Sequence, residues 1–427
     1  MKTYQTPVRV AWLPFCLLTL VLALLLAACG NASTDTGTAP SVPSADASST
    51  ATPGSTPVAQ NTPTATSVAN TGTSKPTLPL TAIRMVDKNN GWALTASSIL
   101  KTVDAGAHWK DVTPANAGLN QSAKGDFLSG QYAWIAVPPA NQQGGAGIAI
   151  LRTSDGGSNW QSSKINDPLV SIPDVPHFLN GQEGWLEASS TPGAGHAGSD
   201  IWHSSDGGQS WSKIASNAQN NGLRLGHVTG ISFKDALTGI ATGDLGAGAD
   251  NSFPSIALTH DGGHNWKIIS LPHVLGGFEV STSATLPPVF IGNVVLLPVR
   301  FTTRDNRDFG MLYRSTNGGN NWFPTNAVEN LLATTMYVQD ANHIWATNSQ
   351  NGKVYRSVDG GNNWSATSNS AYSMAAFSFI DASNGWGISS KQLLQPAAPG
   401  TVATDQKLMR TTDGGATWQQ INYTISS

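Results

Sequence analysis

A short pattern recurs seven times along the chain and constrains its fold more than any other feature. One copy reads RSVDGGNNW (residues 356–364): a hydroxylated residue, an acid, a Gly pair and a closing Trp. The acidic or amide position falls, in chain order, at Asp104, Asp155, Asp206, Asp261, Asn317, Asp359 and Asp413. These positions are 51, 51, 55, 56, 42 and 54 residues apart. Repeats of about fifty residues are typical of propeller blades.

A second, weaker motif precedes most copies of the first. It reads MVDKNNGWAL at residues 85–94 and FIDASNGWGIS at residues 379–389: an apolar strand, a polar turn and a strand that opens on Gly-Trp. The fifth unit has VFIGNVVLLPV (residues 289–299) instead, a run apolar enough for one buried strand. Each unit therefore offers two hairpins, or four strands. The sequence predicts an all-β, seven-bladed β-propeller with four-stranded antiparallel blades.

The first motif resembles the Asp-box, or BNR repeat, in which the box lies in the turn between the third and fourth strands of a blade. An Asp side chain accepts N–H groups of its own turn, and Gly supplies positive φ. Asn317 makes the same bonds but cannot act as a catalytic carboxylate, and seven copies around a ring cannot all face one substrate. We therefore interpret the box as structural, together with its Trp residues: Trp109, Trp160, Trp211, Trp266, Trp322, Trp364 and Trp418.

The N-terminal sequence indicates an export signal rather than a part of the folded domain. Lys2 and Arg9 precede an apolar run that ends in LAAC at Cys29, which resembles a bacterial lipobox. We predict a signal peptide at 1–28, lipid on the Cys29 thiol, a Ser/Thr/Pro tether at 29–77 and the propeller at 78–427. An uncleaved membrane helix is the alternative. The expected location is the outer face of the cell membrane, with the lipid as the membrane contact.

Three hypotheses compete for the function. The paired motifs resemble the photosystem II stability/assembly factor family, which implies a non-catalytic scaffold that docks to proteins at a membrane. Asp-boxes also occur in sialidases, which implies an arginine triad, a Tyr/Glu pair and an Asp acid. The folded region has four Glu to offer, with Tyr313 and Tyr337 as candidate partners of Glu279: Glu183, Glu187, Glu279 and Glu329. The third hypothesis is a xyloglucanase-like hydrolase with paired carboxylates.

One charged segment, VRFTTRDNRDFG (residues 299–310), stands out in a chain with only 11% charged residues. It is either a contact patch, since Arg recognises planar acceptors, or a solvated loop whose charges pair with each other. The candidate partner-binding residues are Arg84, Arg224, Arg300, Arg304 and Arg307. Four other arginines share the place three residues before the box acid, which indicates packing: Arg152, Arg314, Arg356 and Arg410.

Composition excludes further classes of function. Removing Lys2 and Arg9 leaves 21 basic against 26 acidic residues, so no basic stripe for nucleic acid is expected. Both Cys, Cys16 and Cys29, lie before the propeller, so the folded part is expected to hold no disulfide and no Cys-based metal site. We expect no catalytic residues, cofactor or metal. A protein partner at the membrane or cell surface is expected, and a glycan ligand stays possible.

Overall fold

The described part of the protein consists of β-strands and the turns between them. The computed structural model describes residues 79–140, 147–190, 198–218, 221–245, 253–273, 279–348, 350–367, 373–390 and 406–426. The predicted signal peptide, Cys29 and the tether lie outside these residues. No helix that is long and apolar enough to cross a membrane occurs in the described ranges.

Seven sheets follow one another along the chain, which confirms the predicted seven-bladed propeller. The strands of blades 1 to 3 are β1 (Leu80–Met85), β2 (Gly91–Thr95), β3 (Ile99–Thr102), β4 (His108–Asp111), β5 (Lys124–Phe127), β6 (Ala133–Val137), β7 (Ile148–Thr153), β8 (Gln161–Ile165), β9 (Ile172–Pro173), β10 (His177–Phe178), β11 (Gly184–Ser189), β12 (Ser199–Ser204) and β13 (Ser212–Ser216). Those of blades 4 and 5 are β14 (His227–Phe233), β15 (Gly239–Asp244), β16 (Ser255–Thr259), β17 (Lys267–Ile269), β18 (Val280–Thr285), β19 (Val289–Ile291), β20 (Val294–Thr303), β21 (Asp308–Ser315), β22 (Phe323–Pro324) and β23 (Val328–Glu329). Blades 6 and 7 contain β24 (Leu331–Val338), β25 (Ile344–Asn348), β26 (Val354–Ser357), β27 (Ser365–Ala366), β28 (Ser373–Phe379), β29 (Gly385–Ser390), β30 (Lys407–Thr411) and β31 (Gln419–Ile421), and the chain ends in β32 (Thr424–Ser426).

Neighbouring strands within a blade are antiparallel and consecutive in sequence, as in β5-β6-β7-β8. The box turn, between the third and fourth strands, therefore lies at the same end of a blade as the turn between the first and second. We call this end the box face. The links between the second and third strands, and the starts of the first strands, lie on the opposite face.

Blade 5 departs from the prediction of one buried strand at residues 289–299. The run folds back on itself at Gly292, so β19 and β20 form an extra hairpin in a six-stranded sheet. Gly292 has a φ of 61°, which is the left-handed conformation that a tight hairpin turn needs and that glycine adopts without steric cost. Within the run, only residues 295–299 of β20 are fully buried, whereas β19 is half-buried and Gly292 and Asn293 are exposed, so the predicted buried strand covers only the second half of the run.

The box acid closes its own turn. Asp104 Oδ1 accepts the N–H of His108 at 2.9 Å and the hydroxyl of Thr102 at 2.9 Å. In blade 5 the side-chain oxygen of Asn317 accepts the N–H of Asn321 at 2.9 Å, in the same geometry. An amide oxygen can therefore accept the same turn-closing hydrogen bond as the carboxylate of the box acid.

A second set of tryptophans, on the second strand of five blades, ties each blade to the next. The indole N–H donates across the blade boundary to a carbonyl, which lies in a box turn in four of the five cases. The pairs are Trp92 to Ser129 (2.8 Å), Trp134 to Gly207 (2.7 Å), Trp185 to Gly262 (3.0 Å), Trp345 to Gly414 (2.9 Å) and Trp386 to Ala105 (2.8 Å). Blades 4 and 5 have Ile240 and Leu296 at the corresponding position.

The residue three positions before the box acid lies beside this tryptophan on the neighbouring strand. Arg356 lies over the Trp345 ring at 5.2 Å, and Arg410 over the Trp386 ring at 5.2 Å. Where the tryptophan is replaced by Leu296, the Arg314 guanidinium donates instead to a carbonyl of the next blade at 2.7 Å. These arginines therefore pack within and between blades, as their place in the repeat predicted.

The ring closes through the C-terminal strand. β32 adds a fifth strand to blade 1 and runs parallel to β4, its outermost strand. Ile425 of β32 is buried in a cluster that joins blades 7 and 1 and that includes Trp386 and Trp109. On the innermost strands, the Met85 N–H donates to the Ser378 hydroxyl at 2.7 Å. Blades 7 and 1 are therefore joined both at the channel and at the outer edge.

Candidate functional site

A pocket opens on the opposite face, between blades 2, 3 and 4. Its volume is about 260 Å³. It is lined by Lys124, Ile172, Pro173, Asp174, Glu187, Ser189, His227, Val228 and Thr229, which we call the mouth pocket. Lys124 begins β5, His227 begins β14 and Ser189 ends β11, so the pocket lies where strand ends meet at the mouth of the ring.

An interruption of the innermost strand of blade 3 places Asp174 in this pocket. β9 and β10 both pair with β11, and the residues between them leave the ladder. Pro176 lies in this break and has no N–H to donate to a neighbouring strand. The backbone of Asp174 stays attached to blade 3, because its N–H donates to the Glu187 carbonyl at 3.0 Å.

Glu187 is the buried acid of the mouth pocket, with 2% of its surface exposed. Its Oε1 accepts the Ser189 hydroxyl at 3.1 Å, and the Ser199 hydroxyl also bonds to the carboxyl. It stands two residues after the second-strand tryptophan of its blade. The other six blades have uncharged residues at this position: Leu94, Ala136, Thr242, Pro298, Thr347 and Ile388. The fold therefore does not require an acid here.

Both carboxyls of the mouth pocket resist ionisation. Burial, together with the neighbouring Asp174 and Asp200 carboxyls, holds the pKa of Glu187 well above its usual range. Burial also raises the pKa of Asp174, against the opposing effects of the Val175 N–H, Lys124 and His227. Two neighbouring carboxyls with raised pKa values in one cavity mark a candidate functional site.

Neither Glu187 nor Asp174 forms an ion pair within 4.0 Å among the described Lys, Arg and His residues. By contrast, Asp167 and Asp200 do form ion pairs: Lys213 Nζ contacts both carboxylates at 2.6 Å. The protein thus neutralises one pair of carboxylates and leaves the pair in the pocket without a cation.

The channel near the box face holds Arg84, one of the candidate partner-binding residues. Its guanidinium donates to the Tyr337 hydroxyl, which in turn donates to the Phe379 carbonyl at 2.8 Å. Nearby, Asp126 Oδ2 accepts the Phe178 N–H at 2.8 Å. Burial raises the pKa of Asp126 to about 6, although the Phe178 N–H and Arg84 oppose the shift. Arg84 therefore joins a set of contacts that link innermost strands.

The other predicted arginines lie in two places. Arg300, Arg304 and Arg307 share the β20–β21 hairpin on the opposite face, and each contacts a carboxylate: Arg300 to Asp308 at 2.7 Å, Arg304 to Glu279 at 2.9 Å and Arg307 to Glu329 at 2.7 Å. Arg224 is exposed in the link from blade 3 to blade 4. The structure brings the three hairpin arginines together but gives each one its own acid, and it does not gather the five into one cluster.

The Tyr/Glu pair weighed for the sialidase hypothesis is engaged in other contacts. Glu279 pairs with Arg304, while the hydroxyl of the buried Tyr313 donates to the Pro272 carbonyl at 2.7 Å. Four acids in the turns of the second motif accept N–H groups two and three residues ahead: Asp87, Asp235, Asp340 and Asp381. Within the described ranges, no group of three or more His, Cys, Asp and Glu residues is placed to hold a metal ion.

The sequence did not single out the residues of the mouth pocket. Glu187 appeared only as one of four glutamates, and Asp174, Lys124 and His227 were not considered. Two signals were present in the sequence. Glu187 is an acid at a repeat position that is uncharged in the other six blades, and SIPDVPHF (residues 171–178) has two prolines where the first strand of blade 3 is expected. Both signals come from comparing the repeats with each other.

These features define the class of protein: a seven-bladed Asp-box propeller with a pocket at the channel mouth, on the face opposite the box turns. Over 129 residues the chain is 28% identical to the photosystem II assembly lipoprotein Ycf48 of Synechococcus sp. (strain CC9902). This match covers 29% of the chain and 31% of that protein, so the chain matches about a third of the length of the curated relative. The resemblance to the assembly factor family is thereby confirmed. No family model matches the chain.

Solved structures with a similar arrangement share little sequence with this chain. YCF48 from Cyanidioschyzon merolae is 17% identical, with 78% of this chain and 95% of that chain covered and a TM-score of 0.49. YCF48 bound to D1 peptide is 14% identical, with 79% and 95% covered and a TM-score of 0.49. The BP39L lectin from Burkholderia pseudomallei is 13% identical, with 80% and 96% covered and a TM-score of 0.49.

Proposed function

We propose that this protein is a non-catalytic scaffold that binds another protein at the mouth of its propeller, outside the cytoplasm and anchored by lipid on Cys29. The observation that carries the proposal is the mouth itself. Two apolar side chains close to its lining residues in the chain are exposed: Val175, next to Asp174, and Leu169, three residues before Ile172 on the link that enters blade 3 from the opposite face. Exposed apolar groups around a concave site are typical of protein-binding surfaces.

Two further facts support protein binding over binding of a large sugar. The pocket, about 260 Å³, falls just below the ~300–1,000 Å³ of most small-molecule sites. None of its nine lining residues is Phe, Tyr or Trp, the side chains that pack against sugar rings. The sequence similarity to an assembly lipoprotein points to the same kind of role.

Site-specific photo-crosslinking tests the proposal. A photoreactive phenylalanine replaces Leu169 at the mouth and, as the matched control, Val358 on the box face; both side chains are well exposed (70% and 60%). In intact membranes we expect a discrete protein adduct from position 169 and none from position 358. Equal labelling from both positions, or none from 169, contradicts a docking site at the mouth.

A glycoside hydrolase is the second candidate, and the protonated Glu187 beside Asp174 is the observation that favours it. Two carboxyls with different proton affinities are what glycoside hydrolysis requires. Full-length protein is assayed on a fluorogenic sialoside, aryl glycosides and β-glucans. Turnover that disappears in Glu187→Gln overturns the scaffold proposal, and no turnover on any of them removes the hydrolase.

The lipid anchor has its own test. Cells that express the protein are fed an alkyne-bearing fatty acid, and the purified chain is examined for the label. We expect label on the natural chain and none on Cys29→Ser, with Cys16→Ser as the matched control that keeps its label. A labelled Cys29→Ser variant contradicts the predicted lipidation site.

A further inference from the structure

We propose that the mouth pocket binds one cationic side chain, a lysine or arginine, of the partner protein. This inference rests on the proposed function, because it names the chemical group that the scaffold recognises. The geometry that points to it is a cavity of side-chain size, with three apolar lining residues and two carboxyls that make no direct ion pair with a described Lys, Arg or His residue.

The shape of the pocket selects a long, narrow group. Ile172, Pro173 and Val228 line it and offer apolar contact to an aliphatic stem. Glu187 and Asp174 supply the acceptors. Lysine and arginine have an aliphatic stem for the apolar lining and a charged head group for the two carboxyls. Arginine can also bond one carboxylate through two parallel N–H groups.

The acceptor capacity of Glu187 is not filled by the protein. The Ser189 hydroxyl lies 3.1 Å from Oε1 and 3.4 Å from Oε2 of Glu187 and has one proton to donate. With the Ser199 hydroxyl, two donors serve a group that offers about four lone-pair positions when ionised. A guanidinium or ammonium would supply the remaining donors.

The charges around the pocket leave room for a cation. Asp174 and Asp200 act on Glu187 from two neighbouring segments, and both disfavour its ionisation. Lys124 and His227 act on Asp174 from the first strands of blades 2 and 4, at the exposed rim. Asp200 is held by Lys213. The acids at the base of the pocket are therefore the part of the site that an incoming cation would complement.

Cation binding should release protons. Burial raises the pKa of both Glu187 and Asp174, and an added positive charge in the pocket favours their ionised forms and lowers both pKa values. The affinity for a cationic group should therefore rise as pH rises above the ordinary carboxyl range. A neutral ligand of the same shape should show no such dependence.

Calorimetric titration of the full-length protein in detergent tests the proposal. The probes are N-acetyl-arginine amide and N-acetyl-lysine amide, and N-acetyl-citrulline amide is the neutral isostere of the first. We expect a cationic probe to bind about tenfold or more tightly than citrulline at pH 8, since a buried charge contact of this kind changes affinity by at least this factor. Heats measured in phosphate and in Tris should differ, which reports proton release.

Variants complete the test. Glu187→Gln should weaken binding of the cationic probe by about tenfold or more and reduce proton release to the share that comes from Asp174. Glu183→Gln is the matched control from the same blade, because Glu183 pairs with His203 and does not line the pocket. Circular dichroism shows whether Glu187→Gln is folded, and Asp174→Asn provides a second variant if it is not.

The outcomes separate this inference from the proposed function. Equal affinity for citrulline and arginine, or unchanged binding to Glu187→Gln, overturns the cation site. A crosslinked partner at position 169 without cation binding leaves the scaffold standing and removes only the inference. Selective cation binding that Glu187→Gln abolishes, without any crosslinked partner, supports the cation site and removes the docking role at position 169.

Discussion

At the scale of single residues, Ala105 is a strained member of an otherwise regular set. It occupies a box-turn position that is glycine in the other six blades, and its φ is 63°. A Cβ in this left-handed conformation costs about 1–2 kcal/mol, while glycine loses ~0.5–1 kcal/mol more chain entropy on folding. We expect Ala105→Gly to raise the free energy of unfolding by roughly 0.5–1 kcal/mol, measured by urea denaturation. Gly156→Ala, the reverse change in the next blade, should lower it, and a gain there would contradict the argument.

Glu187 should make the protein less stable as pH rises. The folded protein keeps this carboxyl protonated at pH values where the unfolded chain has lost the proton, because burial raises its pKa. The unfolded state then binds fewer protons, so the free energy of unfolding falls with increasing pH above the ordinary Glu range. Glu187→Gln should remove this fall and stabilise the protein at pH 8 by on the order of 1 kcal/mol or more. Denaturation series at pH 5 and pH 8 check this, and a variant less stable than the natural protein at pH 8 would contradict it.

The role of a single residue could be predicted where equivalent positions of the seven repeats can be compared. Asn317 revealed the role of the box position because it replaces an acid that six other copies keep. Glu187 could have been found in the same way, since its six counterparts are uncharged. Its neighbours could not: Asp174 and His227 lie on different segments of blades 3 and 4, and only the folded ring brings them to one cavity.

At the scale of strands and blades, the second-strand tryptophans are the main links between neighbours. Trp386 donates to the Ala105 carbonyl of blade 1 at 2.8 Å and is fully buried. Trp386→Phe removes this bond and leaves the carbonyl without that donor, so we expect a loss of about 1–3 kcal/mol in the free energy of unfolding. Urea denaturation measures it. Trp211→Phe is the matched control, because the Trp211 indole N–H has no hydrogen-bond partner among the described groups. Equal losses in both variants would show that ring volume, not the hydrogen bond, matters.

Strands were predictable in number and order but not in every detail. Four strands per blade followed from two turn motifs per repeat. The hairpin at Gly292 was missed because the apolar residues on both sides of Gly292 and Asn293 were taken as one strand, although a Gly-Asn pair between two apolar runs is itself a hairpin signal. The break between β9 and β10 was missed because Pro173 and Pro176 were not compared with the first strands of other blades. Both features lie in blades that depart from the consensus, and the second of them forms the candidate site.

At the scale of the whole molecule, the ring brings segments distant in sequence into one mouth. The mouth pocket takes its lining from three blades, from Lys124 to Thr229. Its two acids form no direct ion pair with a described Lys, Arg or His residue, and burial makes their charged forms costly despite hydrogen bonds from Ser189, Ser199 and the Val175 N–H. The cation proposed above, brought by a partner protein, would offset this cost.

Ring closure is the property of the whole molecule that the sequence left open, and it leads to the last prediction. β32 is three residues long and has no pattern of its own, so only its contact with β4 reveals its role. It covers the outer edge of blade 1 and buries Ile425, which is 2% exposed. Deletion of residues 424–427 should cost about 2–5 kcal/mol, as for other buried aliphatic side chains. The uncovered edge of β4 should also promote self-association. Urea denaturation and sedimentation velocity measure the two effects. Removal of Ser427 alone is the control and should change neither the stability nor the association state. A 424–427 deletion variant as stable and as monomeric as the full chain would show that the inner strands and Trp386 hold blades 7 and 1 together without β32.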